Sequence, residues 1–216
     1  MHGDIVPGAP LWRGLRIGVL GGSFNPAHAG HAYVSELALA RLGLDAVWWL
    51  VSPQNPLKPA AGMADLRERL AAARALASHP RIVVSDLERR LGTRYTADTL
   101  AALRRRWPAT TFIWLMGADN LAQIPAWQRW SQIFNTTVIA AFARKPYDSN
   151  ALAGRAAQRF RRARLVPGRA RSLGLAAPPA WVFLPVRHHP ESASAIRARH
   201  GGGGGPETAR EVRSTS

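Results

Sequence analysis

The residues with the clearest chemical potential form one short string, because residues 21–31 read GGSFNPAHAGH. Its glycines allow a tight backbone turn and a close approach to a ligand. The free N–H groups at the start of a following helix favour an anion. His28 and His31 are three residues apart, so one helical turn places both imidazoles on the same face, where they can donate to phosphoryl oxygens. The string therefore predicts a phosphate-binding site.

A second candidate anion site lies near the C-terminus, where residues 192–197 read SASAIR. Ser194 is placed to cap the last predicted helix of the chain. Arg197 falls in the first turn of that helix, where a cation is unfavourable unless an anion is also bound. A polyphosphate would remove the conflict, because the guanidinium fork fits phosphate oxygens. An ordinary capped helix is the alternative interpretation of this segment.

Apolar runs elsewhere predict the scaffold that must position these residues. The predicted strands cover 16–20, 46–51, 81–85, 111–116, 136–143 and 181–184, and the predicted helices cover 31–42, 64–78, 96–107, two short helices within 119–134, and 192–200. Because strands and helices alternate, we predict an α/β fold: a Rossmann-like, doubly wound parallel sheet of about six strands with helices on both faces. Ligands should bind at the carboxyl ends of the strands, where the strand order reverses.

The length of 216 residues fits one α/β domain with appendages. We expect a flexible N-terminal arm over 1–14, the domain over 15–200, and a disordered glycine-rich tail over 201–216. The Ala/Arg-rich segment 149–171 interrupts the alternation, so we expect it to be a surface helix or an insertion.

Composition excludes several classes of protein and leaves one question open. The chain has no cysteine, which excludes disulfides, thiolate metal sites and cysteine nucleophiles. Because no apolar stretch approaches the length of a transmembrane helix and no signal layout is present, we expect a cytoplasmic protein that does not associate with membranes. The net charge of +16 fits nucleic acid as a partner, nucleotides as ligands, and equally a surface that is merely soluble. The seven arginines of 155–171 could bind nucleic acid, but no recognition motif surrounds them, which makes this hypothesis the less favoured one.

The motifs resemble those of one enzyme family. The string at 21–31 resembles the G-G-x-F-D-P-x-H-x-G-H signature of the nucleotidyltransferase superfamily with the (H/T)-x-G-H motif, and Asn25 stands where the signature has Asp. Within that superfamily the chain resembles the bacterial nicotinate-nucleotide adenylyltransferases over about residues 15–199. The matching segments are NPLKP at 55–59, YTADT at 95–99, MGADN at 116–120, the Trp-x-x-Trp of 127–130, and SASAIR at 192–197.

This resemblance implies transfer of AMP from ATP to nicotinate mononucleotide in NAD biosynthesis, with Mg²⁺ arriving with ATP and no metal site on the protein. The implied catalytic residues are His28, His31 and Arg197. The implied ATP- and phosphate-binding residues are Gly21, Gly22, Ser23, Phe24, Lys58, Ser192 and Ser194. The mononucleotide is assigned to Asn25, Tyr95, Thr96, Asp119, Trp127 and Gln128, with Trp127 stacked on the pyridine ring and backbone N–H groups near Thr96 and Gln128 on the carboxylate.

Other acceptors remain open on the sequence alone. The first motif also serves nicotinamide-nucleotide, pantetheine-phosphate and glycerol-phosphate transferases. The segment at Tyr95 and Thr96, together with Asp119 and Trp127, favours the nicotinate enzyme. Discrimination between a carboxylate and a carboxamide depends on backbone contacts, which a sequence does not specify.

Overall fold

The computed structural model describes residues 10–53, 62–144 and 146–186. Within these ranges the strands are β1 (Arg16–Gly22), β2 (Ala46–Val51), β3 (Ile82–Ser85), β4 (Thr111–Gly117), β5 (Val138–Phe142), β6 (Arg164–Leu165) and β7 (Trp181–Leu184). The α-helices are α1 (Ala29–Leu42), α2 (Leu66–Leu76), α3 (Leu87–Leu91), α4 (Thr96–Arg106), α5 (Ala118–Gln123), α6 (Trp130–Thr136), α7 (Asp148–Ala153) and α8 (Arg155–Arg159). None of the described helices is both long and apolar enough to cross a bilayer.

All the strands join one parallel sheet in the order β3-β2-β1-β4-β5-β7-β6. The chain runs outward from β1 to β3 and then returns to place β4 on the other side of β1. The strand order therefore reverses between β1 and β4, and a crevice at their carboxyl ends is where such sheets bind ligands. The turn after β1 and the residues after β4 meet at this point.

The predicted α/β architecture is confirmed, and the described ranges contain one more strand than the predicted six. The additional strand is β6, which has only two residues, Arg164 and Leu165, and pairs with β7 at the edge of the sheet. A two-residue strand has too few positions to show an apolar period, so the sequence pattern could not indicate it.

Both faces of the sheet are covered. Strand β2 is buried at every position, as expected for a central parallel strand. Its two tryptophans point to opposite faces: Trp48 packs edge-on against Trp107 at 5.3 Å between ring centroids, and Trp49 stacks on Phe24 at 5.2 Å. The sheet thus separates two apolar cores. Phe24 belongs to one of them; it lies in the turn after β1, residues 21–25, which we call the phosphate turn after its predicted ligand.

Segment 149–171 contributes to the core as well as to the surface. It includes most of α7, all of α8 and β6, a 3₁₀ turn at Arg161–Ala163 and the first part of a 3₁₀ helix at Pro167–Leu175. The Phe160 ring stacks on Phe134 at 4.3 Å, and its carbonyl accepts the indole N–H of Trp181 at 2.9 Å. The expected surface helix or insertion is therefore partly buried against the sheet edge, while all seven of its arginines are exposed.

The N-terminal end of the described chain also packs on the domain. Pro10–Trp12 form a 3₁₀ turn, and Trp12 lies edge-on to Trp48 at 5.1 Å. The flexible arm expected over 1–14 stays a prediction, since residues 1–9 lie outside the described residues. The predicted helix over 192–200 and the predicted tail over 201–216 lie outside the described residues.

Candidate active site

The turn between β1 and α1 has a shape that packing enforces. A Cβ on Gly21 would lie 2.4 Å from the Trp114 ring, so only glycine allows β1 to pass that indole. Phe24 has φ = +47°, a left-handed conformation that is unfavourable for a residue with a side chain. Its ring is 2% exposed, and burial against Trp49 compensates for the backbone strain.

The two histidines lie together at the N-terminus of α1. Their ring centroids are 3.9 Å apart, and His28 is 8% exposed. The main-chain N–H of His28 donates to Nδ1 of His31 at 3.2 Å. In a neutral His31 the ring hydrogen then sits on Nε2, which leaves that nitrogen as a donor.

Two successive hydrogen bonds connect the first turn of α1 to strand β2 of the sheet. The Trp49 indole N–H donates to Ser35 Oγ at 2.7 Å, and this hydroxyl donates to the His31 carbonyl at 2.8 Å. The Phe24 ring lies 4.6 Å from the His31 ring. The histidine pair is therefore held by the sheet rather than by solvent-exposed loop.

Asn25 links the turn to the start of α2. Its Nδ2 donates to the Gly62 carbonyl at 3.0 Å, and its Oδ1 accepts the Ala64 N–H at 3.2 Å. An aspartate could accept the second bond but could not donate the first, so the departure from the family signature suits this backbone. Contact of Asn25 with the mononucleotide stays a prediction.

Asp119 lies over the carboxyl end of β4, across the crevice from the turn. Its Oδ2 accepts from Nη1 of Arg144 at 3.0 Å. Its Oδ1 is buried and has no hydrogen-bond partner among the described residues. A Cβ on Gly117 would lie 2.4 Å from that oxygen, so the glycine makes room for the carboxylate. One acceptor atom is therefore held beside the end of β4.

Trp127 and Gln128 lie in the turn before α6. Trp127 is half-buried, with its ring edge-on to Trp114 at 6.5 Å, and Gln128 is exposed. Tyr95 and Thr96 lie at the start of α4. An ion pair between Arg129 and Asp98 joins the turn before α6 to the first turn of α4.

Trp130 has different surroundings from Trp127. Its ring packs edge-on against Phe134 at 6.3 Å and Phe160 at 6.0 Å. The guanidinium groups of Arg155 and Arg159 lie over it at 5.9 and 5.8 Å. These contacts assign Trp130 to the packing of α6 against α8.

Comparison with known proteins decides the family. Residues 19–199 match the cytidylyltransferase-like family. A curated relative from Parvibaculum lavamentivorans, named "Probable nicotinate-nucleotide adenylyltransferase", is 53% identical over 191 residues, which are 88% of this chain and 95% of the relative. A relative of the same name from Roseobacter denitrificans is 54% identical over 186 residues, 86% of this chain and 92% of the relative. The chain belongs to the nicotinate-nucleotide adenylyltransferase family.

Solved structures share the fold of this adenylyltransferase. Two structures of the Plasmodium falciparum nicotinic acid mononucleotide adenylyltransferase, complexed with NaAD and with APC, superpose with TM-scores of 0.63 and 0.61. Each is 16% identical and covers 85% of this chain and 83% of its own. The family resemblance inferred from the motifs is confirmed by the curated relatives, and the fold by these structures.

Arg69 is a buried residue that the sequence did not indicate. Arg69 lies on α2 and is 3% exposed. Burial lowers the pKa of its guanidinium, while the charge of Asp65 raises it. Nothing in the sequence distinguishes Arg69 from the exposed Arg67 on the same helix, because both lie in an Ala/Arg/Leu pattern.

Glu88 is a second buried group that the sequence did not indicate. It lies on α3, and its Oε1 accepts from the Thr99 hydroxyl of α4 at 3.3 Å. Burial raises the pKa of Glu88 to about 7, against hydrogen bonds from Ser52 and Thr99 that lower it. The carboxyl group thus connects Ser52, the residue after β2, with α4.

Four predicted site residues of the adenylyltransferase lie outside the described residues: Lys58, Ser192, Ser194 and Arg197. Their predicted roles at the phosphates stay predictions. The described residues that the structure brings to the crevice are the turn over 21–25, the two histidines and Asp119.

Proposed function

We propose that the chain transfers AMP from ATP to nicotinate mononucleotide, giving nicotinate adenine dinucleotide and pyrophosphate. The observation that carries this proposal is the His28–His31 pair, whose ring centroids are 3.9 Å apart. The pair lies at the start of α1, beside the point between β1 and β4 where the strand order reverses. Family membership supports the choice of reaction.

The proposed reaction is a direct in-line displacement. A phosphate oxygen of the mononucleotide attacks the α-phosphorus of ATP, a new O–P bond forms, and the bond to the β-phosphate oxygen breaks. The phosphate is already ionised at neutral pH, so no strong general base is needed and no covalent enzyme intermediate forms. Catalysis is then mainly positioning and stabilisation of phosphoryl charge.

The residues at the turn supply that stabilisation in this proposal. His31 donates from Nε2, and His28 donates beside it, to oxygens around the α-phosphorus. Backbone N–H groups of 22–24 hold phosphate oxygens at the start of α1. Arg197 holds the leaving pyrophosphate. Lys58 offsets phosphate charge, and Ser192 and Ser194 bind ATP phosphate. Mg²⁺ enters as the ATP complex, held by phosphate oxygens and water, the ligands it commonly keeps in such sites.

The acceptor binds between α4 and the turn before α6 in this proposal. The pyridine ring stacks on Trp127, and its carboxylate accepts from backbone N–H groups near Thr96 and Gln128. Asn25 and Tyr95 complete this pocket. The buried Oδ1 of Asp119 is an acceptor for a hydroxyl of the bound nucleotide, because hydroxyl groups can donate to a carboxylate oxygen.

Replacement of His31 tests the catalytic assignment. We expect His31→Ala to lower kcat by about 10²–10³, the usual loss for one donor to a developing charge. The variant should still fold, with a somewhat lower Tm because the His28 N–H loses its acceptor. His79→Ala is the matched control, since His79 lies before the amino end of β3, away from the carboxyl ends of the strands. Its Nδ1 accepts the Arg81 N–H at 3.1 Å. Near-normal kcat in folded His31→Ala would overturn the assignment.

A further inference from the structure

Arg69 gathers three separate backbone segments. Its Nη1 donates to the carbonyls of Ser23 and Ser52, both at 2.7 Å. Its Nη2 donates to the Pro53 carbonyl at 3.0 Å, and its Nε donates to the Ala64 carbonyl at 2.9 Å. All four acceptors are main-chain oxygens. They belong to the phosphate turn, to the residues after β2 and to the residues before α2.

Asn25 bonds to the same segment before α2 that Arg69 contacts. Ala64 receives Arg69 at its carbonyl and gives its N–H to Asn25 Oδ1. One residue before α2 is thus held at both of its backbone polar groups. The phosphate turn and α2 are therefore tied together by two side chains.

The hydrogen bond from Arg69 to the Ser23 carbonyl determines the direction of the next N–H group, that of Phe24. The Ser23–Phe24 peptide is trans, since the cis bonds of the described chain lie at Asn25–Pro26 and Pro178–Pro179. In a trans peptide the carbonyl and the following N–H point to opposite sides. With the Ser23 carbonyl directed at Arg69, the Phe24 N–H must point away from Arg69. Stacking of the Phe24 ring on Trp49 keeps the turn in this form against the strained φ of Phe24.

We propose that Arg69 is a positioning residue of the ATP site, which aims the Phe24 N–H at a phosphate oxygen by holding the Ser23 carbonyl. A guanidinium suits this task because its donors leave in fixed, divergent directions, whereas a lysine ammonium is a single point on a flexible stem. The inference rests on the proposed function only in taking ATP as the ligand. It does not depend on the identity of the acceptor.

The unaltered protein provides the first test. We expect MgATP to shift the Phe24 amide resonance in an NMR titration and to slow its hydrogen exchange at least about tenfold, as protection by a bound phosphate oxygen would. A Phe24 amide unaffected by saturating MgATP would overturn the inference. This measurement involves no variant, so it does not depend on how Arg69 substitutions fold.

Arg69→Lys provides the second test, with Arg67→Lys as the matched control on the exposed side of α2. Lysine keeps the charge but cannot hold four carbonyls. We expect the Kd for MgATP from calorimetry to rise about tenfold, the usual effect of losing one charge-assisted hydrogen bond. The KM for nicotinate mononucleotide should stay within about twofold, and Arg67→Lys should change neither quantity.

Two outcomes of the second test would overturn the inference. One is an unchanged Kd for ATP in folded Arg69→Lys, and the other is an equal loss of affinity for both substrates, which marks a general structural role. Because calorimetry needs no turnover, failure of the proposed function can be distinguished from failure of the Arg69 inference. A chain that binds MgATP without forming dinucleotide would contradict that function and leave the Arg69 test intact.

Discussion

Arg129 forms an ion pair with Asp98 that joins the two sides of the proposed acceptor pocket. Arg129 has φ = +53°, so the turn that carries Trp127 adopts an unfavourable conformation immediately after Gln128. The side chains of the pair are 44% and 38% exposed, and pairs this exposed contribute at most about 1 kcal/mol to stability. We infer that the pair matters more for the spacing of the pocket than for folding.

Asp98→Asn tests this role of the ion pair. We expect the KM for nicotinate mononucleotide to rise several-fold, because the turn before α6 is no longer tied to α4. The KM for ATP and the Tm should change little. Steady-state kinetics separates these effects when one substrate is varied while the other is saturating. An unchanged KM for the mononucleotide would contradict the role.

Trp127 and Trp130 have different expected roles, the first in binding the mononucleotide and the second in packing. We expect Trp127→Ala to weaken binding of the mononucleotide while ATP binding and stability stay close to normal. Trp130→Ala removes contacts with Phe134 and Phe160, so it should lower the free energy of unfolding, by less than the ~3–5 kcal/mol typical of a fully buried aromatic. Calorimetric titration and denaturant unfolding of both variants check this division. The reverse pattern would exchange the two assignments.

Gly117 is expected to set the position of Asp119. A methyl group there would lie 2.4 Å from Asp119 Oδ1 and force the carboxylate away from the end of β4. We therefore expect Gly117→Ala to lower kcat/KM at least about tenfold, a loss of roughly 1.4 kcal/mol. Gly168→Ala is the matched control, since nothing lies within 4 Å of its added methyl. Equal activity of the two variants would count against the role of Asp119.

Glu88 predicts a pH dependence of stability. Because burial raises its pKa to about 7, the folded state binds a proton that the unfolded state has already lost above its ordinary pKa of 4.5. This contribution to stability is complete below pH 4.5 and is lost as the pH rises through 7, with an upper limit on the order of 3 kcal/mol.

Glu88→Gln should remove that dependence. Glutamine can still accept from Thr99 but does not ionise, so we expect the variant to be more stable than the unaltered protein at pH 8 and similar to it at pH 5. Denaturant unfolding of both proteins at the two pH values measures the difference. A parallel pH dependence in both would show that Glu88 does not titrate in this range.

The sequence was sufficient for features that are local in the chain. The run AVWWLV at 46–51 predicts a fully buried strand because no polar residue interrupts it, and β2 is buried throughout. The string at 21–31 combines glycines with two histidines three residues apart, and the structure places the imidazoles together. Both inferences depend on backbone geometry over a few residues, which sequence specifies well.

The sequence was insufficient where partners are distant. Arg69 contacts Ser23, which lies 46 residues away, and Asn25 contacts Gly62, 37 residues away. An arginine on a helix and an asparagine in a turn carry no local sign of such contacts. The edge strand β6 is defined by pairing with β7 and not by its own two residues. These features arise from tertiary structure, which overrides local patterns.

The central claim is tested most directly by pyrophosphate release from MgATP with three acceptors offered in parallel: nicotinate mononucleotide, nicotinamide mononucleotide and phosphopantetheine. We predict strong preference in kcat/KM for the nicotinate substrate, with nicotinate adenine dinucleotide as the product. Turnover of another acceptor in its place, or no turnover by folded protein with any of the three, would contradict the account.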